Sequence, residues 1–424
     1  MLRVYFHEMR KILQWKPLLL IAVFSGICSF AILGNTLSYM TVVHEPSDIV
    51  AVASDLIKFT GPTLEADEFG PAMDTLSARY IDELESAIYS NPDFATVGVT
   101  DYQSFLVLEQ KIKCSQVIPE SLDPGEIPDE CPMWDPTIDY SLNQTETALE
   151  MALMSLGGET TPEMLAYLKT NLLVKSFENP YNNIAERRAA VVDFGSPAVN
   201  ARIQDIFDSG EILNTLPLMA LSAFNEMFFV LSIMVVVGVC ILLAPTVTRD
   251  TQNKVTPLQY SSKIGKRIRG TQLGAMITVS TLLATIEIAV VFAIFTVNGW
   301  YGILKSGLNS YATWDYYWFS GNIGQYLLIV GGMMIAVALA ATLMIFVFST
   351  LCQNYISLLL AVIPLVGILV VTSSQVFGHP FTIIAGPASI FTLAYLEVYI
   401  TILLLVIALV SAAIILKKEK AREV

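Results

Sequence analysis

Residues 241–279 read ILLAPTVTRDTQNKVTPLQYSSKIGKRIRGTQLGAMITV. The ends of this stretch open into two of the most apolar runs in the chain. Its middle, Thr248 to Leu273, carries six basic residues and one acid. A short cationic segment between two membrane-length apolar runs is the pattern of a turn at one membrane face, with a helix entering and a helix leaving.

The same pattern extends in both directions. The 424-residue chain is 54% hydrophobic and only 15% charged, against about 25% charge in an ordinary soluble domain. The apolar residues lie in continuous blocks that do not alternate, so helices rather than a barrel are expected. Six spans are predicted, at 17–40, 216–247, 271–298, 324–348, 355–376 and 391–416, each near the ~20 residues that cross a bilayer. The expected fold class is an all-α polytopic membrane protein with a mostly helical extracellular domain.

Lysine and arginine orient it. Arg3, Arg10, Lys11 and Lys16 precede the first span. Arg249, Lys254, Lys263, Lys266, Arg267 and Arg269 join the second to the third, and Lys417, Lys418, Lys420 and Arg422 follow the last. Six spans put all three groups on one side, the cytoplasmic side of a plasma membrane by the positive-inside rule. Among the short loops only Lys305 departs from this pattern. Both termini, 1–16 and 417–424, are thus expected in the cytoplasm and 41–215 outside.

Residues 2–14 predict an amphipathic helix in the inner interface. Leu2, Tyr5, Phe6, Met9, Ile12 and Leu13 form its apolar side, opposite Arg3, Glu8, Arg10 and Lys11, and Pro17 would turn the chain into the membrane. The apolar run that follows is longer than a signal-peptide core and has no clear small-residue cleavage site, so a retained span is expected.

The formal charge of −14 comes from 41–215, which holds about thirty of the 38 acids and about nine of the 24 bases. Such acidity either keeps an external domain soluble or attracts cations to the outer face. The segments AMDTLSARYIDELESAIYSN, SLNQTETALEMALMSLGG, TPEMLAYLKTNLLVKSF, NIAERRAAVVDF and PAVNARIQDIFDSGEIL predict helices. Between the first two, a proline- and acid-rich stretch reads as an irregular loop.

Cys28, Cys240 and Cys352 fall in or at the end of spans and read as buried thiols. Cys114 and Cys131 flank the proline-rich stretch. They are either two free thiols or a disulfide on the oxidising side, worth about 3 kcal/mol by loop closure. The aromatic loop 299–323 reads as an interfacial belt or a ligand-stacking surface. The apolar loop 377–390 is expected to dip back into the outer leaflet as a re-entrant turn.

No catalytic set emerges, and no metal site. His7, His44 and His379 are far apart with no ligand spacing, and KIGKR lacks the glycine and hydroxyl of a phosphate loop. The chain is therefore not expected to be an enzyme, to bind a cofactor itself or to bind nucleic acid. Three carboxylates stand in or beside the spans: Glu226, Glu287 and Glu397. A charge at mid-bilayer costs about 2.5–3.5 kcal/mol on insertion scales. These groups either bond neighbouring helices, protonate or snorkel, or they line a pathway for a cationic substrate such as a basic peptide or a metal ion. Glu287 is the deepest.

An amphipathic start, one span, a large external segment and five more spans resemble the permease subunit of ABC transporters of the ABC-2 type. The loop 248–270 adds to the likeness. Asp250, then Asn253 and Lys254, then LQYSSKIGKRI resemble the coupling helix between the second and third spans of those permeases, although Pro257 is unusual there. The resemblance implies that Thr248, Arg249, Asp250, Asn253, Lys254, Leu258, Gln259, Tyr260, Ser261, Ser262, Lys263, Ile264, Lys266 and Arg267 couple the spans to a partner. That partner would be a separate ABC ATPase subunit carrying ATP and magnesium. A second permease half, an identical copy or a paralogue, and membrane lipids complete the expected partners. From the residues alone, the basic loop equally suits an anchor at anionic headgroups.

The expected function is export of a hydrophobic or cationic compound, such as a peptide, an antimicrobial or a lipid. A sodium or other cation extruder of the same architecture is one alternative. A membrane sensor or assembly protein whose extracellular domain binds a ligand is another.

Overall fold

The computed structural model describes residues 2–30, 45–90, 98–105, 107, 169, 173–189, 196–255, 265–297, 300–313, 315–352, 354–383 and 393–421. The chain is all-α: the described residues contain isolated β-bridges but no strand. Its main helices are α1 (Leu2–Ile12), α2 (Trp15–Cys28), α3 (Glu45–Thr60), α4 (Ala66–Ser90), α5 (Pro197–Asp208), α6 (Leu218–Leu243), α7 (Pro245–Gln252), α8 (Ile268–Val297), α9 (Ile323–Leu351), α10 (Tyr355–Phe377) and α11 (Leu396–Ala421). Two compact units result, one of Tyr39–Ala185 and one of Met1–Ser38 with Glu186–Val424.

In the larger unit, five stretches are long and apolar enough to cross a membrane: Ala220–Gln252, Ile268–Ile294, Ile323–Leu351, Tyr355–Phe377 and Leu396–Ala421. Helices α1 and α2, bent by 51° across Leu13 and Gln14, make a sixth if the pair counts as one. The bend falls just before Pro17, which sits in the first turn of α2, where a missing N–H costs nothing.

Helices α6 and α9 form the middle of the bundle. Helix α6 packs on α2, α8, α9 and α10, and α9 packs on α6, α8 and α11. The outer helices keep large apolar side chains exposed, among them Ile356, Leu360 and Ile363 on α10 and Leu403, Val410 and Ile414 on α11. Such faces suit lipid or a further protein chain.

Pro245 interrupts the backbone hydrogen bonding between α6 and α7, and Ser349 of α9 bonds the groups beside it. Its hydroxyl accepts the Thr248 N–H at 3.2 Å and donates to the Ala244 carbonyl at 3.2 Å. A side chain from a neighbouring helix thus satisfies backbone groups freed inside an apolar bundle.

The aromatic loop before α9 is part of the core, not the interfacial belt expected from its composition. Trp300 and Tyr317 are each 1% exposed and Tyr311 is fully buried, whereas Tyr301 is exposed. The cause is a network of polar anchors. Ser310 Oγ accepts the Leu216 N–H at 3.0 Å and donates to the Leu216 carbonyl at 3.1 Å. Arg187 donates to the Thr313 carbonyl at 2.8 Å, and Asn322 with Gln325 closes a capping box on α9. Residues 186–215, expected in the external domain, accordingly belong to the larger unit.

The chain after α10 folds against this loop. Trp318 N–H reaches the Phe381 carbonyl at 2.9 Å and Ile383 N–H the Tyr316 carbonyl at 2.7 Å. Irregular backbone is here satisfied by protein, as an apolar setting requires. The remainder of the expected re-entrant turn, 384–390, lies outside the described residues.

In the smaller unit, α3 and α4 pack through Val52, Leu56, Leu76, Tyr80 and Leu84. The helix expected over 72–91 is present as α4. Asp55 organises the polar edge: Lys58 donates to it at 2.8 Å, Arg79 at 3.0 Å and the Tyr80 hydroxyl at 3.2 Å. Burial pushes the Asp55 carboxyl up, but the Lys58 and Arg79 cations and the Tyr80 hydroxyl outweigh it and hold it below its ordinary value. A depressed folded-state value stabilises above the unfolded value, and that stability is lost as pH falls through the folded one. Asp55→Asn is therefore expected to cost about 1 kcal/mol at pH 7 after solvent screening. It should also shrink the loss of stability below about pH 4, read by pH-dependent circular dichroism melts.

Candidate functional site

The basic end of the bundle holds the first candidate site. Helix α1 lies along α8. Leu2, Phe6 and Leu13 of its apolar side are exposed, as on a helix whose apolar side is free for lipid, whereas Glu8 of the opposite side is 3% exposed. Glu8 is buried because a polar network receives it. Lys11 Nζ bonds the Asp250 carboxylate and lies 3.4 Å from Glu8. Gln272 Nε2 donates to Asp250 at 2.8 Å and to Glu8 at 3.4 Å. Arg269 donates to Gln272 at 3.0 Å and pairs with Glu419 of α11 at 3.9 Å. Arg249 reaches Gln14 at 2.8 Å, and Tyr5 bonds Thr278. Four segments thus meet here: α1, the end of α7, the start of α8 and the end of α11.

The residues expected to couple to a partner divide by position. Thr248 is fully buried and Asp250 is 4% exposed, so both face the bundle and neither presents a surface. Arg249, Asn253, Lys254 and Arg267 are exposed. Helix α7 ends at Gln252, and Lys254 follows with φ 55°, a left-handed backbone that lets the chain leave the helix axis. Leu258, Gln259, Tyr260, Ser261, Ser262, Lys263 and Ile264 lie outside the described residues, as does the side chain of Lys266. Glu8, Lys11 and Gln272 were not legible as site residues, because an isolated charge on an amphipathic helix reads as solvated.

The three carboxylates do not form one set. Glu287 sits between α2 and α6: Ser25 Oγ donates to it at 3.2 Å, its second oxygen has no hydrogen-bond partner among the described residues, and Gly238 lies against it. Glu226 and Glu397 instead share a cavity of about 510 Å³ at the other end of α6. Ser222, Asn225, Asp315, Tyr317, Gln375 and His379 complete its polar wall. Asp315 and Asn225 carried no sequence signal, since a loop acid and a helix amide are ordinary in those places.

Cys28, Cys240 and Cys352 are free thiols, with Cys240 buried and the other two half-buried. Cys114 and Cys131 lie outside the described residues. No group of three ligating side chains among the described residues is placed to hold a metal ion. Compared with known proteins, the chain matches no family model, and no curated protein or solved structure is significantly similar to it.

Proposed function

We propose that the chain is a permease subunit of an ATP-driven ABC transporter of the ABC-2 type. It crosses the plasma membrane six times, with both termini in the cytoplasm and the acidic segment after the first span outside. Separate ATPase subunits supply hydrolysis, and a second permease half completes the pathway for export of a hydrophobic or cationic compound.

The observation that carries this reading is the clamp at the basic end. A motor docked near the exposed Asn253 and Lys254 just after α7 would push on Asp250, and Asp250 is bonded to α1 through Lys11 and to α8 through Gln272. A displacement at one loop therefore reaches three helices through buried polar bonds. Only an element held differently in two states shifts a conformational equilibrium, and a satisfied but rearrangeable polar cluster is such an element.

Affinity capture of the tagged full chain from its native membrane tests the reading. An ATP-binding subunit should co-purify, and Lys263→Glu with Arg267→Glu should abolish its capture while membrane insertion stays unchanged. Equal capture by the double variant would remove the coupling role, and a functional chain with no ATPase attached would remove the transporter.

A further inference from the structure

Glu287 belongs neither to the clamp nor to the cavity at the other end of α6. It is 9% exposed, and its Oε2 is buried with no hydrogen-bond partner among the described residues. Oε1 meets Ser25 Oγ at 3.2 Å. Two counts fix its depth. Gln14, just before α2, bonds Arg249 of α7 at the basic end. Ser25 lies eleven residues after Gln14, and Gly238, which lies against Glu287, eleven residues before Arg249. At about 1.5 Å per helical residue each count gives about 16 Å, half of a hydrocarbon core of about 30 Å. The carboxyl sits near mid-membrane, where an ionised group without a partner is strongly disfavoured.

A cation must accompany such a group, and the burial of Oε2 selects it. A metal ion takes several oxygen ligands, whereas Ser25 Oγ alone faces the carboxyl with a polar atom among the described residues. An organic amine needs room beside an oxygen that is closed off from solvent. A proton needs neither. Placed on Oε1, it donates to Ser25 Oγ across the same 3.2 Å. Oε2 then becomes a neutral carbonyl oxygen, whose missing partner costs far less than that of a charged one.

No charged group on the surrounding helices competes for this role. Cys28 of α2 interacts with Glu287 electrostatically, and Cys240 of α6 lies two residues from Gly238; thiols are ordinarily neutral at pH 7. Glu8, Lys11 and Glu419 gather around Arg269 and Gln272, at least fifteen residues back along α8. Tyr5 of α1 bonds Thr278, and Tyr326 of α9 bonds Asn225. Glu226 lies at the far end of α6, and Tyr301, beyond the end of α8, is exposed.

We propose that Glu287 is a proton-binding site: its carboxyl holds a proton while α2 packs on α6 and α8, and releases it when α2 moves away and water reaches Oε2. Helix α2 continues from α1 across the 51° bend, and α1 is bonded to Asp250 through Lys11. A rearranged clamp therefore moves the helix that closes the site. The assignment rests on α2, α6 and α8 crossing a membrane, not on the ATPase. The packed state binds the proton and the open state releases it, so the packed state loses stability as pH rises above the ordinary carboxylate range, about pH 4.

Infrared spectra of the purified full chain in nanodiscs of zwitterionic lipid at pH 7 test the site. The difference between wild type and Glu287→Gln should contain the C=O stretch of a protonated carboxylic acid and no carboxylate band. Ser25→Ala, which removes the acceptor for that proton, should shift the same stretch to higher frequency. Glutamine is neutral at every pH, so Glu287→Gln should melt several degrees above wild type at pH 7, with the gap closing toward about pH 4. A carboxylate band, an unshifted stretch in Ser25→Ala, or a gap that does not change with pH would each overturn the proposal. So would stabilisation of wild type, but not of Glu287→Gln, when sodium replaces choline at constant ionic strength, since the site would then hold a metal ion. Failure to capture an ATPase would refute the permease reading alone, and a carboxylate band would refute the proton site alone.

Discussion

Asp250→Ala is expected to destabilise the bundle by about 3 kcal/mol and to uncouple α1 from α8. Asp250 is 4% exposed, and its carboxylate bonds Lys11 and Gln272. Truncation removes an acceptor from a half-buried cation and from a buried amide together. Breaking a buried ion pair by deleting one partner costs about 3–5 kcal/mol. The Lys11 side chain retains 18% exposure, so water takes back part of its charge and the lower end of that range applies. Asp250→Asn keeps an acceptor for both neighbours and should cost less than half as much.

A double-mutant cycle with Lys11→Met and Asp250→Ala, read by unfolding in graded detergent mixtures, isolates the pair. A coupling energy of about 2 kcal/mol is expected, because contacting residues in one network are not additive. Simple additivity would mean that α1 is held by its other contacts, such as Tyr5 on Thr278 and Arg249 on Gln14. The clamp would then carry no stroke.

How much of this was legible in the sequence depends on whether an apolar block or a polar group carries the information. The five long helices lie where uninterrupted apolar runs predict them, since no other local structure satisfies the backbone of such runs. The burial of Glu8 was not legible. Glu8 belongs by pattern to the wet side, and only Lys11, Gln272 and Asp250, two of them more than 200 positions away, make its burial affordable. The aromatic loop misled for the same reason. Tryptophan and tyrosine suit both a headgroup belt and a core, and the choice falls to Ser310, Arg187 and Asn309, polar residues whose partners are set by tertiary folding. Among the three carboxylates, position along the spans indicated depth but not company. Glu226 and Glu397 meet Asp315 because the aromatic loop folds inward, while Glu287 faces Ser25 on the first apolar helix.

Within that network of anchors the Asn309 amide makes the most contacts inside the loop, so Asn309→Ala is the second change with a large expected effect. Asn309 is 1% exposed. Its Oδ1 accepts the Tyr317 N–H at 2.7 Å, and its Nδ2 donates to Glu211 Oε2 at 2.7 Å and lies 3.3 Å from the Tyr317 carbonyl. Glu211 in turn is bonded by Arg202 at 2.6 Å. Alanine would leave the Tyr317 N–H buried without a partner and cut the loop from the Arg202–Glu211 pair. Losses of this kind cost about 2–4 kcal/mol, and the thermal midpoint should fall by several degrees. Asn309→Asp separates loss of packing from loss of the donor. The aspartate keeps an acceptor for the Tyr317 N–H but sets a carboxylate against Glu211. Repulsion raises the folded-state value of the pair above the unfolded one, so the penalty grows as pH rises through the carboxylate range and is relieved below it. Asn309→Asp should therefore be as unstable as Asn309→Ala at pH 7 and recover toward wild type near pH 4, whereas Asn309→Ala should show no such recovery. If both variants follow the same pH profile, the Glu211 contact does not hold the loop, and the cavity owes its shape to the buried aromatic rings instead.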